Sequence, residues 1–105
     1  MNGSHFILNG HEVQEVPLLE WARWFENADR CVANTMIGDT RISTVFLGLD
    51  HSWGLGPPLI FETMVFGGPL DQEQWRYSTW DEAEAGHAAA IEAVERGTAP
   101  AQAGR

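Results

Sequence analysis

Four histidines, fifteen carboxylates, one cysteine and five tryptophans are the side chains in this 105-residue chain that could do chemistry. Asp50 and His51 stand side by side where an apolar run gives way to a Gly/Pro-rich stretch. Such a junction can hold side chains rigidly and still leave them open to solvent. With Glu62 and His87 they could form a carboxylate and imidazole group suited to proton transfer or to a metal. The spacing does not require it, because the chain contains no His-x-x-x-His, no His-Glu-x-x-His and no Cys-x-x-Cys. Cys31 has only Arg30 beside it in sequence as an activating base, which does not make a nucleophile. Gly67-Gly68-Pro69 leads into neither a Lys-Ser/Thr pair nor a helix start, so it reads as a turn and not a phosphate loop. We therefore assign no catalytic residue, no metal ligand and no cofactor.

Binding is the stronger expectation, and charge limits what can be bound. Fifteen acids face six arginines and no lysine, a formal charge of −9. Nucleic-acid binding rests on basic residues that displace counterions from phosphate, so direct contact with DNA or RNA is disfavoured. An acidic surface serves solubility, or it meets a protein with a basic surface. Trp21, Trp24, Trp53, Trp75 and Trp80 are many for a domain of this size, and aromatic anchors are enriched in interfaces and pockets. The candidate binding set is Asp50, His51, Trp53, Glu62, Trp75, Trp80, Asp81, Glu82, Glu84 and His87. Several have structural readings beside the functional one. His87 shares a stripe with Trp80, Ala83, Ala90, Ile91 and Val94, where a hydrogen-bonded core histidine is expected. Glu62 lies inside an apolar run, where it needs a donor such as Arg41 or Arg76. Trp53, between Ser52 and Gly54, is either a lid tucked over the core or an exposed anchor. The alternative to a protein partner is a small ligand, a nucleotide or signalling molecule held by aromatic residues and arginines.

The elements that must position these residues form one α+β domain over residues 1–97, followed by a disordered tail over 98–105. Asn9-Gly10 between short apolar segments predicts a hairpin. Pro17 and the spacing of Leu18, Trp21, Trp24 and Phe25 predict a helix to about Asn27. Gly38-Asp39 divides two β-rich segments, 31–37 and 40–49, and a third long strand covers 59–66. A short strand lies around Trp75, and Thr79-x-x-Glu82 has the form of a capping box opening a helix that ends at Gly97. The expected fold is a mainly antiparallel sheet of five to six strands with two helices packed on one face. Apolar residues on both faces of 40–49 and 59–66 leave the other face to be covered, which predicts a homo-oligomer. No apolar run approaches the length of a spanning helix and no leader is legible, so no membrane role and a cytoplasmic location are expected.

Three stretches, 43–51, 61–68 (FETMVFGG) and 77–87 (YSTWDEAEAGH), resemble small uncharacterised accessory proteins encoded by bacteriophages and prophages, a likeness covering about residues 30 to 90. The resemblance implies a non-structural product acting in the bacterial host cytoplasm. It implies action by binding a host protein, including inhibition of a defence or nucleic-acid-handling complex, and it brings no catalytic residues with it.

Overall fold

The computed structural model describes residues 5–97. The tail expected over 98–105 lies outside the described residues. Strands β1 (Phe6–Asn9) and β2 (Glu12–Glu15) form a two-stranded sheet. Helix α1 (Leu18–Asn27) follows. Strands β3 (Cys31–Ile37), β4 (Thr40–Phe46), β5 (Phe61–Phe66) and β6 (Gln74–Tyr77) form an antiparallel sheet in sequence order, and helix α2 (Trp80–Arg96) closes the chain of elements. The six strands thus make two sheets of two and four, where a single sheet was expected.

The first hairpin turns on Gly10-His11 and not on Asn9-Gly10, because Asn9 still pairs with Glu12 and only Gly10 takes a positive φ, 65°. A glycine leading the turn is the type II′ arrangement, which matches the strands' twist as well as Asn-Gly does. Gly38-Asp39 makes the β3–β4 turn as expected, with Ile37 paired to Thr40. β4 ends at Phe46, short of residue 49. Gly48, at φ 79°, breaks the extended run, and a Cβ there would stand 2.9 Å from Trp21 Nε1 and 3.2 Å from the Phe25 ring. This glycine lets the aromatic side of α1 press on the sheet's end.

Burial alternates strictly along β4 and β5. Ile42, Phe46, Phe61, Val65, Trp75 and Tyr77 form the inner face, which closes against Ala83, Ala90 and Ala93 of α2. α2 is held at both ends. The Thr79 hydroxyl accepts the Glu82 N–H while the Glu82 carboxylate accepts the Thr79 N–H, and Gly97 ends the helix in the left-handed conformation. α1 meets the core differently: Trp24 sets its ring edge-on to Phe46, and none of the helix's residues is fully buried. The second helix therefore covers the sheet, while the first caps one end of the same inner side. On the outer face Arg41, Ser43, Val45, Glu62, Met64, Phe66 and Arg76 remain half-exposed.

Among the described glycines the closest fit is at Gly86. A Cβ at this position would fall on the ring and hydroxyl of Tyr77, so the ring lies where a side chain would be. Alanine in a helix interior normally gains about 1 kcal/mol over glycine. Overpacking a buried contact costs about 1–3 kcal/mol, and with backbone on one side and a buried ring on the other neither partner can yield. Gly86→Ala is expected to lower the urea-unfolding free energy by up to about 2 kcal/mol. A more stable variant would show that α2 does not rest on Tyr77.

Candidate functional site

Asp50 organises the loop that follows β4. Its Oδ1 accepts the N–H of Ser52 at 2.7 Å and of Leu59 at 3.0 Å, tying the two ends of the loop together. The His51 N–H donates to the Leu59 carbonyl, the Leu55 N–H to the Ser52 carbonyl, and the Gly54 N–H to Ser52 Oγ. Burial alone pushes the Asp50 carboxyl up. The Ser52 amide and hydroxyl, the Leu59 amide and the neighbouring His51 together outweigh that and hold it below the ordinary carboxylate value. Oδ1 of Asp50 thus serves as a structural acceptor at both ends of the loop.

What this bracing presents is Trp53. Its side chain is 91% exposed and its backbone sits at φ 58°, a left-handed conformation that a bulky residue adopts only when its surroundings impose it. Leu55, two residues on, is 83% exposed. Of the two readings of Trp53, the structure has the exposed ring and not the lid.

The remaining tryptophans are placed otherwise. Trp75 is 2% exposed, inside the core between sheet and helix, and cannot act as a surface anchor. The alternation with Tyr77 along β6 puts both rings inward. Trp80 is half-buried, stacked on the His11 ring with centroids 3.8 Å apart and edge-on to Phe61. It fastens the β1–β2 hairpin to the start of α2.

His87 and Glu62 do not meet. His87 points to the inner face, where Nδ1 lies 2.7 Å from Thr44 Oγ1 and Nε2 lies 2.9 Å from Thr35 Oγ1. Thr44 Oγ1 in turn lies 2.5 Å from Thr63 Oγ1, so a row of three hydroxyls and one imidazole runs under α2. The Tyr77 phenol borders this row. Burial pushes it up and the Thr63 hydroxyl beside it acts the other way, although no hydrogen bond of full geometry forms. Glu62 faces the opposite side of the sheet and pairs with Arg76 Nε at 3.1 Å. The grouping of Asp50, His51, Glu62 and His87 is therefore divided between a loop, an outer face and a core. Among the described residues no three of His, Cys, Asp and Glu stand together as metal ligands would. No described helix is long and apolar enough to cross a membrane.

Asp81, Glu82 and Glu84 are exposed on the first turns of α2, with Glu82 also engaged in the cap. The antiparallel order puts the start of α2, the Asp50 loop and the β1–β2 hairpin at one end of the sheet. Gly67-Gly68-Pro69 follows the far end of β5, so it shares no surface with Trp53. Comparison with known proteins finds no family model, no curated protein and no solved structure that matches the chain.

Burial holds His87 below the ordinary histidine value. As pH falls through about 6.5 the unfolded chain takes up a proton at this position and the folded chain does not. The contribution of His87 to stability is therefore complete above that pH. It declines on acidification by at most about 1.4 kcal/mol per pH unit until the buried ring itself titrates. Urea unfolding between pH 5 and 8 should show this decline in the native sequence and a shallower one in His87→Gln, whose amide can still reach the threonines. Equal slopes would mean that His87 titrates as it does in the unfolded chain.

Proposed function

We propose that this chain is a phage-type accessory protein that acts by binding a host protein with a basic surface, a class that includes nucleic-acid-handling and defence complexes. The observation that carries the reading is Trp53, a large ring held in solvent by a loop whose hydrogen bonds are already made. Exposing an indole forgoes its burial, and a left-handed backbone adds strain; neither contributes to folding. Both make sense where the ring fills a pocket on a partner, since a pre-ordered anchor loses little conformational freedom on docking.

Charge supports the same end of the molecule. Asp81 and Glu84 extend into solvent on the helix that starts beside this loop. They would steer a basic surface towards Trp53, and salt would weaken that steering. Neither carboxylate has a structural role like that of Glu82.

The test is capture of host proteins from a bacterial extract by the native chain and by two variants. Trp53→Asn substitutes a residue that tolerates the left-handed region, so its melting temperature should match or slightly exceed the native one. Capture should fall by roughly 30-fold or more, as for truncation of a central interface tryptophan. Asp81→Lys with Glu84→Lys should slow association and flatten its salt dependence while leaving the fold intact. A Trp53→Asn protein that captures normally would remove the loop as the binding site. Capture indifferent to ionic strength would remove the basic partner.

A further inference from the structure

The outer face of the four-stranded sheet carries a second surface that nothing in the described chain covers. Val45, Met64 and Phe66 lie on its two central strands and are half-exposed, and Met36 on the neighbouring strand is 61% exposed. We propose that two copies of the chain meet on this face, related by a two-fold axis running across the strands through the Ser43–Met64 pair.

Three observations support a second copy as the occupant. The first is charge. Two chains of −9 repel one another over most of their surface. On this face, however, the charged strand positions are two arginines, Arg41 and Arg76, and one acid, Glu62. It is the side on which two such chains can approach with least repulsion.

The second is symmetry. In the β4–β5 register Arg41 pairs with Phe66, Ser43 with Met64 and Val45 with Glu62. Arg41 therefore lies about 7 Å to one side of the Ser43–Met64 row, and Glu62 about 7 Å to the other. A two-fold along that row carries each Arg41 over the partner's Val45, the residue paired with Glu62 on the next strand about 5 Å away, so its guanidinium can reach the partner's Glu62 in an interface that uses the same patch twice. Met64 of each copy then meets its own counterpart at the centre.

The third is the state of Arg41. Its guanidinium lies over the Phe66 ring at 4.4 Å, and among the described residues no carboxylate pairs with it. Glu62, held by Arg76 from one side, has oxygen lone pairs left for a second arginine. The planar footprint is on the order of 400 Å² per copy before side-chain relief, below the roughly 800 Å² of a standard stable interface. The dimer should accordingly be concentration-dependent.

Sedimentation equilibrium over about 5 to 200 µM tests this, a range suited to a micromolar equilibrium. The native chain should move from one towards twice its 11.7 kDa mass. Arg41→Glu should remain a single chain throughout with an unchanged melting curve. Arg41→Glu combined with Glu62→Arg and Arg76→Glu, which reverses every charge on the face, should dimerise again. A native chain that stays single at the top of the range, or a dimer that Arg41→Glu leaves intact, would overturn the proposal. Trp53→Asn should dimerise normally, so this result stands apart from that of partner capture.

Discussion

The ring of Tyr77 occupies the space in which any side chain at position 86 would stand, and α2 settles onto the sheet only because that residue is glycine. The contact fixes how far the helix can approach β6. It brings Ala83, Ala90 and Ala93 against Phe46, Phe61 and Val65, and it puts His87 within reach of Thr44 and Thr35. Small residues on the helix and large ones on the strands interlock, which is how a short chain reaches crystal-like packing density. The hydroxyl and imidazole row beneath the helix gives that apolar seal a specific register, because sliding α2 along the sheet would strand a buried imidazole without partners.

Once α2 is seated, the remaining surfaces follow from strand alternation. Every second residue of β4 and β5 turns outward, away from α2, the longer of the two described helices. Acids gather on the helix's solvent side, and two of the arginines stand on the open face with Glu62. The antiparallel order also sends the Asp50 loop to the end where α2 begins, so the exposed indole and the first acids of α2 lie at the same end of the sheet. Two surfaces of different character result, one built on a single exposed ring and one on an open sheet face that carries two arginines and one acid.

Much of this was legible from local chemistry. Thr79 and Glu82 marked the start of α2 because a reciprocal cap needs those two side chains three residues apart, and Gly38-Asp39 marked a turn that the register confirms. Glu62 was expected to need an arginine and has Arg76. The hairpin turn was misplaced by one residue because Asn-Gly and Gly-His both suit tight turns, and only pairing across the strands separates them. Trp75 entered the candidate binding set because composition cannot tell a core indole from an anchor. Its period-two spacing with Tyr77, and a glycine in mid-helix opposite, were the available signals. That Asp50 would brace a loop depended on the return of Leu59 to its carboxylate, a contact nine residues away that no spacing rule states.

The proposed binding surface centres on a braced loop at one end of the sheet. Hydrogen exchange of the chain, free and bound to the protein it captures, addresses this most directly. New protection is expected at the amides of residues 51–59 and in the first turn of α2, with the Gly67-Gly68 turn at the other end unchanged. Protection confined to that far turn, or to the C-terminal half of α2, would contradict it.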